Sequence, residues 1–274
     1  MPKFANLAVR NCGAMSEYIE HISSMQEEAL STDVMILCGG LGTRLRTVVS
    51  DRPKSMAIVG GRPFLEWWLR RLHKDGCRRV ILCVGYMGDS IREYFGDGEC
   101  VGLALEYSEE QEPLGTGGAL RQGVSYCQTD SILVLNGDSW CDVNLSQLLE
   151  WHSTKKAEGT LLLIRVDDHT RYGHVRVSQY SEIIEFVEKG EGQARADLVN
   201  AGIYVFSRQL LATIPRCGAI SLEREVLPGW VGRGLCGYTG KGNFIDIGVP
   251  ESYAEADLMF WNKRDHIGKF ALKN

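Results

Sequence analysis

The chain has 274 residues, of which 44% are hydrophobic and 24% are charged, and its formal net charge is −5. This length suits one large α/β domain or two small ones with a substantial core. The acidic balance argues against a protein that coats nucleic acid, whose binding surface is basic, and no apolar run is long enough to predict a membrane span.

From residue 33 to about residue 157, short apolar runs alternate with amphipathic stretches. The predicted strands are Val34–Cys38, Arg79–Val84, Leu103–Tyr107 and Ile132–Leu135, and the predicted helices are Pro63–Lys74, Met87–Phe95, Gly118–Tyr126 and Leu145–Lys156. This alternation predicts an α/β fold with a doubly wound, mostly parallel sheet. Ligands of such sheets lie at the carboxyl ends of the strands.

After residue 158 the pattern changes to strands with little helix between them. The predicted strands are Thr160–Val166, His174–Val177, Ile183–Glu188 and Val199–Phe206, and a helix is predicted at Pro250–Trp261. We therefore expect one domain over 33–265, with a first part at 33–157, a small β-rich insertion at 158–250 and a C-terminal helix at 250–265. Residues 1–32 are expected to be an N-terminal extension, with a weak amphipathic helix over 16–30.

The cysteines and tryptophans bear on location and assembly. The nine cysteines form no CxxC pair and no zinc-ligand spacing, which predicts reduced, mostly buried thiols. The first residues carry no sustained apolar stretch, so no secretory signal and a cytoplasmic location are expected. A homo-oligomer is left open, because four tryptophans suit either an interface or the core: Trp67, Trp68, Trp230 and Trp261.

The segment CGGLGTRLRTVVSDRPKSMA, at 38–57, directly follows the first predicted strand. Its glycines allow a sharp turn that brings backbone N–H groups close to an anion, and Arg44 and Lys54 add positive charge. A polyphosphate needs this combination. The segment lacks the spacing of a Walker loop and of a dinucleotide-binding fingerprint. A glycine turn without ligand is the alternative for this segment alone.

Two further features lie at predicted strand ends or helix starts. The run EPLGTGGA leaves the backbone bare around Gly115, which suits contact with the edge of a nucleobase or, alternatively, a plain helix entry. Asp138 ends the run SILVLNGD and Asp246 ends FID, and each is either a metal ligand or a strand-end cap. Two carboxylates held together repel, and a divalent cation reverses that interaction. Hard oxygen ligands beside phosphate favour Mg²⁺.

Together, GGxGTRL with PKxM, LGTGGA, NGD and FIDIG resemble the sugar-1-phosphate nucleotidyltransferases, also called nucleoside-diphosphate-sugar pyrophosphorylases. Three more segments are similar to sugar-side motifs of this family: YGHV to YGxV, FVEKG to FxEKP, and NAGIY. This chain departs from the family at Gly190 and Ser55, where proline is usual, and at Cys38, where alanine is commoner. The resemblance implies a Rossmann-like, GT-A-like fold.

The resemblance also implies roles for individual residues. The nucleotide-binding residues would be Leu37, Gly39, Gly40, Gly42, Thr43, Arg44, Gln111, Gly115 and Asn136. The sugar-phosphate side would use Tyr172, Gly173, Glu188, Lys189 and Asn200. Catalysis is assigned to Arg44, Lys54 and Asp138, and Mg²⁺ would be held by Asp138 and Asp246.

The implied partners are a nucleoside triphosphate and a sugar 1-phosphate, with no nucleic acid and no membrane. Within the family, EEQEPLGTGGAL, SLEREVLP and FIDIGVPESYAEAD resemble the guanylyltransferases that use D-glycero-α-D-manno-heptose 1-phosphate. Two alternatives stay open. One is a hexose 1-phosphate with GTP, UTP, dTTP or CTP, and the other is a non-catalytic nucleotide-sugar-binding regulator.

Overall fold

The structure, a computed structural model, describes residues 32–40, 42, 44–166, 174–187, 198–216 and 218–263. Its strands are β1 Asp33–Leu37, β2 Ile58–Val59, β3 Arg62–Pro63, β4 Arg79–Val84, β5 Ala104–Glu109, β6 Ser131–Asn136, β7 Ser139–Cys141, β8 Gly159–Arg165, β9 His174–Val177, β10 Ile183–Val187, β11 Leu198–Ser207, β12 Leu235–Thr239 and β13 Phe244–Asp246. The predicted helix over 16–30 lies outside the described residues.

The helices are α1 Phe64–Lys74, α2 Gly88–Phe95, α3 Gly115–Gly123, α4 Leu145–Lys155, α5 Arg208–Ala212, α6 Leu227–Gly229 and α7 Pro250–Lys263. Three 3₁₀ turns cover Lys54–Met56, Glu99–Val101 and Val124–Tyr126, and a π turn covers Leu222–Val226. Among the residues described above, no helix is long and apolar enough to cross a membrane.

The main sheet has the strand order β10-β9-β11-β6-β1-β4-β5, and β8 links β11 to β12. Strands β5, β4, β1 and β6 are parallel, whereas β11 runs antiparallel to both β6 and β8. The predicted α/β fold with a parallel, doubly wound first half is thereby confirmed. In the second half β11 is antiparallel to its neighbours β6, β8 and β9, whereas β12 pairs parallel with β8.

Both faces of the sheet are covered, as alternation within β1 shows. Val34 and Ile36 belong to one core cluster, and Met35 between them belongs to the other. Successive side chains of a strand point to opposite faces, so each face packs its own helices. This placement leaves the strand ends, rather than the faces, open to ligands.

Three of the four tryptophans considered for an interface lie in the core. Trp67, Trp68 and Trp230 are at most 4% exposed, whereas Trp261 is 50% exposed. The indole of Trp67 donates to the Val59 carbonyl at 2.9 Å, and that of Trp68 donates to the Ser139 carbonyl at 2.7 Å. Buried indoles need such partners for their N–H groups. These residues therefore stabilise the interior of the chain.

The difference from the predicted elements that matters most for the strand ends concerns the short strands β7 and β13. Neither was predicted, because each has three residues and no clear period. They pair antiparallel, with Asp246 opposite Ser139. This pairing brings the DIG segment to the carboxyl end of β6.

Candidate active site

A cleft of about 550 Å³ opens at the carboxyl ends of β1, β5 and β6. Leu37 and Asn136 are the last residues of β1 and β6 and are paired in the sheet, and Glu110 directly follows β5. The glycine loop and the first turn of α3 complete its walls. The cleft therefore lies at the edge where parallel sheets bind ligands.

The glycine loop packs directly on Lys54. Gly42 has φ +58°, a left-handed conformation that favours glycine, and a Cβ there would lie 3.0 Å from Lys54 Cβ. Gly39, Gly40 and Arg44 line the same cleft. Arg44 is exposed and forms no ion pair with any described residue, which leaves its charge to a ligand. Residues 44–48 form a turn.

Lys54 and Asp138 form an ion pair inside the cleft. Lys54 Nζ lies 2.6 Å from Asp138 Oδ2, and the two side chains are 14% and 38% exposed. Burial acts to raise the pKa of Asp138, but the Lys54 ammonium and its hydrogen bond outweigh burial and hold that pKa below its usual value. Asp138 is therefore ionised at neutral pH.

Asp246 lies beside Asp138 because of the β7–β13 pairing. Ile247 N donates to the Asp138 carbonyl at 2.9 Å, and Gly248 N donates to Asp246 Oδ1 at 2.6 Å. A Cβ on Gly248 would lie 3.5 Å from Lys54 Nζ. Asp138 and Gly248 line the cleft, whereas Asp246 lies next to them at the strand end but outside the lining.

This arrangement fits Mg²⁺. The ion prefers hard oxygen ligands, keeps several waters and needs only one or two carboxylates when phosphate is present. In the part of the chain that the structure describes, no group of three or more His, Cys, Asp or Glu side chains is placed to hold a metal. Binding of Mg²⁺ by Asp138 and Asp246 stays a prediction.

A bulge in β11 places a backbone turn against Asn136. The register of β11 shifts between Asn200 and Tyr204, and a Cβ on Gly202 would lie 2.8 Å from Asn136 Nδ2. Asn200 donates to the Tyr204 hydroxyl at 2.8 Å and accepts from Gly202 N at 3.0 Å. The Asn200 amide is thus engaged within β11, and its role in sugar binding stays a prediction.

The bare backbone around Gly115 is partly covered by the segment 218–222. Gly117 N donates to the Ile220 carbonyl at 2.8 Å, and Ile220 N donates to the Leu114 carbonyl at 2.8 Å. Gly115 has φ +70°, and a Cβ there would lie 2.5 Å from the Ile220 oxygen. The close approach of the segment 218–222 therefore requires glycine at position 115, independently of any contact with a nucleobase.

Gly115→Ala is expected to destabilise the fold by about 2 kcal/mol, because alanine is strained at this φ and its Cβ meets a backbone oxygen. The Michaelis constant for the nucleoside triphosphate that the sequence resemblance implies should also rise, since Gly115 lines the cleft. Urea unfolding and initial rates measure the two effects. Gly229→Ala is the control, since a Cβ there meets nothing within 4 Å. Equal stability of the two variants would contradict this explanation.

Glu110, rather than the predicted Gln111, lines the cleft. Gln111 is exposed and lies outside the lining, whereas Glu110 is half-buried between the glycine loop and α3. Glu110 Oε2 accepts from Leu114 N at 2.8 Å, and Oε1 would lie 2.8 Å from a Cβ on Gly39. Burial raises the pKa of Glu110, and no described residue offers it a cation.

Several predicted residues lie outside the described ranges: Thr43, Tyr172, Gly173, Glu188 and Lys189. Conversely, sequence reasoning missed cleft residues that include Ser55, Glu110, Thr116, Ala219, Glu223 and Gly248. Glu110 carries a usable signal, since it directly follows a strand. Ala219 and Glu223 carry none, because hydrogen bonds between distant segments bring them to α3. Thr116 Oγ1 donates to Glu223 and accepts from Leu222 N, in addition to the backbone bonds of Ile220.

Residues 33–261 match the family model described as nucleotidyl transferase. The chain belongs to this family. The predicted recognition and the enzyme class are thereby confirmed, and the nucleotidyltransferase domain accounts for the cleft at the strand ends.

Three relatives show how this nucleotidyltransferase compares. It is 38% identical over 83% of its length to mannose-1-phosphate guanylyltransferase of Mycobacterium tuberculosis, of which it spans 64%. It is 36% identical over 82% of its length to D-glycero-alpha-D-manno-heptose 1-phosphate guanylyltransferase of Aneurinibacillus thermoaerophilus, of which it spans 96%. HddC from Yersinia pseudotuberculosis complexed with GMP-PN is 33% identical with a TM-score of 0.73, over 84% of this chain and 99% of that one.

Proposed function

We propose that this nucleotidyltransferase transfers GMP from GTP to D-glycero-α-D-manno-heptose 1-phosphate, and that it releases the GDP-heptose and pyrophosphate. The observation that carries the proposal is the Lys54–Asp138 ion pair beside a glycine loop in one cleft, with Asp246 at the adjoining strand end, where it pairs with Ser139. Such a cleft suits two phosphate groups that react with each other. Two relatives that the chain spans almost completely favour the heptose and the guanine nucleotide. One is named as a D-glycero-alpha-D-manno-heptose 1-phosphate guanylyltransferase, and the other is HddC complexed with GMP-PN.

In this reaction an oxygen of the sugar 1-phosphate attacks the α-phosphorus of GTP. The bond from the α-phosphorus to the bridging oxygen breaks, and pyrophosphate leaves with that electron pair. The attacking phosphate is already ionised at neutral pH, so no residue has to act as a general base. The chain then contributes position and positive charge.

Lys54 and Arg44 supply that positive charge. Lys54 is 14% exposed, and an ammonium shielded from water stabilises added negative charge more strongly than one in solution. Arg44 has no partner among the described residues and faces the cleft, which suits the leaving pyrophosphate. Asp138 and Asp246 would hold Mg²⁺, which neutralises phosphate charge when bound.

Glu110 supports guanine as the base. An unpaired carboxylate disfavours a polyphosphate close to it, so it suits a different part of the nucleotide. Guanine offers two neighbouring N–H donors, at N1 and at the 2-amino group, and a carboxylate accepts from two such donors. Uracil and thymine offer one donor at the corresponding ring edge, and this difference favours GTP.

The sugar is supported by similarity rather than by described contacts. The relatives at 38% and 36% identity are named for mannose 1-phosphate and for a manno-heptose 1-phosphate. The chain spans 96% of the heptose enzyme and 64% of the mannose enzyme, which favours the heptose. Mannose 1-phosphate is the second candidate.

A panel of substrates tests the proposed function. Pyrophosphate release should be fastest with GTP and the heptose 1-phosphate, slower with mannose 1-phosphate, and slowest with UTP, dTTP or CTP. Faster turnover with mannose 1-phosphate would replace the sugar assignment and leave the reaction class intact. Binding of GTP without pyrophosphate release under any pairing would support the regulatory alternative instead.

Glu110→Gln is expected to lower kcat/KM for GTP by about 10- to 100-fold, because the amide offers a donor where guanine needs an acceptor. ITP lacks the 2-amino group, so the wild-type preference for GTP over ITP should shrink in this variant. Initial rates with both nucleotides measure this change. The preference should also fall on acidification, since protonation of Glu110 removes an acceptor.

Two neighbouring substitutions serve as controls. Glu109 pairs with Arg92 at 3.5 Å and is 46% exposed, so Glu109→Gln should leave both nucleotides unaffected. Gln111→Ala should do the same, because Gln111 lies outside the cleft. If Gln111→Ala instead lowers the GTP rate and Glu110→Gln does not, the base contact belongs to the residue predicted from sequence.

A reducing, cytoplasmic location is also part of the proposal. The described cysteines are all free thiols, and six of the seven are buried. Burial raises the pKa of Cys38 to about 12 and that of Cys77 to about 11, so these thiols are protonated and unreactive at neutral pH. Free thiols of this kind suit a reducing compartment.

A further inference from the structure

A second depression lies beside α3, apart from the cleft. Its volume is about 310 Å³, and it is lined by residues of α3 and of the turn that follows α3, and by Pro215, Arg216 and Gly218. Arg121 and Arg216 line it from two different parts of the chain. Gln122 and Ser125 are also among its lining residues. No carboxylate is among its lining residues in the described ranges.

The state of Arg121 is unusual for this molecule. Its Nε is buried and donates no hydrogen bond to any described residue. Arg70, Arg71 and Arg79, by contrast, all donate to carboxylates at 2.6–2.7 Å. A buried N–H without an acceptor is unfavourable, and no described residue satisfies this one, so a bound anion would be a favourable acceptor.

Arg216 strengthens this point. It is exposed, forms no ion pair with a described residue, and faces the same depression as Arg121. Two guanidinium groups at one site repel unless an anion lies between them. The chain carries a net charge of −5, and yet this site concentrates positive charge.

We propose that this depression is an oxyanion site that takes a phosphate or diphosphate group. Guanidinium groups bind phosphate oxygens with paired N–H donors, and two of them suit an ion with several oxygens. The Ser125 hydroxyl donates to the Gln122 carbonyl at 2.8 Å, so its proton is already engaged within the chain. Specificity for the anion therefore comes from the two arginines.

The site is separate from the proposed active site but shares α3 with it. Gly118 and Leu114 line the depression, whereas Gly115 and Thr116 line the cleft. The first turn of α3 thus forms a wall between two anion-binding spaces. The phosphate group bound in the depression comes either from a free inorganic anion or from a nucleotide.

Isothermal titration of the intact protein with pyrophosphate tests the proposal. We expect two sites, of which Lys54→Ala weakens one and Arg121→Gln with Arg216→Gln weakens the other by at least about tenfold. Titration with inorganic phosphate and with GDP then identifies the source. Competition by GDP at the second site indicates a nucleotide, and binding of the inorganic anions alone indicates a free anion.

Controls separate this site from general charge and from the active site. Arg233→Gln with Lys241→Gln removes the same charge at two exposed positions outside the depression, and should leave both sites intact. The Arg121 and Arg216 variant should keep its rate of pyrophosphate release at saturating substrates. If it does not fold, the single Arg216→Gln variant, changed at an exposed position, replaces it. An unchanged second site in either arginine variant overturns the proposal.

Discussion

Lys54→Ala is expected to lower the rate of pyrophosphate release at least about a hundredfold, because it removes a shielded positive charge from the site of phosphoryl transfer. Asp138→Ala should lower it by a similar factor. In the wild type the two side chains meet at 2.6 Å, so each holds the other in place. Initial rates with saturating GTP and sugar 1-phosphate measure both effects.

The double variant gives a sharper result than either change alone. If Lys54 and Asp138 act as a unit, the combined loss should be smaller than the product of the single losses. Lys74→Ala, at an exposed position on α1, is the control and should retain the wild-type rate. Near-normal rates in both single variants would remove these residues from the reaction.

The pH dependence of the Lys54 variant follows from the same pair. Lys54 holds the pKa of Asp138 below its usual value, against the effect of burial. Without the ammonium, that pKa should rise, and Asp138 should then become protonated at a higher pH. As the pH is lowered, the residual activity of Lys54→Ala is therefore expected to begin to fall at a higher pH than the activity of the wild type does.

Arg79→Ala is expected to lower the free energy of unfolding by about 3 kcal/mol, because it breaks a nearly buried ion pair at the amino end of β1. Arg79 lies 2.6 Å from both Asp33 and Glu106, and it donates to the Tyr126 carbonyl at 2.6 Å. Asp33 is only 6% exposed, so removing its cation leaves a poorly solvated carboxylate. Urea unfolding at neutral pH measures the loss.

A surface ion pair provides the comparison. Arg176 and Glu185 are 57% and 49% exposed, so Arg176→Ala should cost less than about 1 kcal/mol. If Arg79→Ala and Arg176→Ala lower the free energy of unfolding equally, the Arg79–Asp33 pair stabilises the fold no more than a surface ion pair does. The Arg79 variant should keep the substrate preference of the wild type, because Arg79 lies at the opposite end of β1 from the cleft.

Acid should reduce the difference between wild type and Arg79→Ala. Burial acts to raise the pKa of Asp33, but the amides of Gln128 and Thr129 and the Arg79 guanidinium outweigh it and lower that pKa. The stabilisation is present above the unfolded value of about 3.8, and it is lost as the pH falls through the lower folded value. Unfolding curves at neutral and strongly acidic pH measure this change.

Local sequence patterns predicted most of the first half of the fold. The run VILCV around Cys83 and the apolar residues of α1 have the periods of a buried strand and an amphipathic helix, and both elements form within one residue of their predicted ends. Short-range periodicity is sufficient there because each element buries its own apolar face. The position of the glycine loop was also predictable, because the loop directly follows the apolar run that forms β1.

The site itself depends on contacts that local patterns do not contain. The sequence by itself determined the parallel half of the sheet, the glycine loop at its edge and the chemical types of the charged residues. Only the tertiary structure decided that β13 pairs with β7 and so places Asp246 beside Asp138, and that Glu110 rather than Gln111 faces the cleft. Pairing between segments distant in the chain depends on their packing on a common core, and the orientation of a single side chain after a strand depends on the backbone that surrounds it.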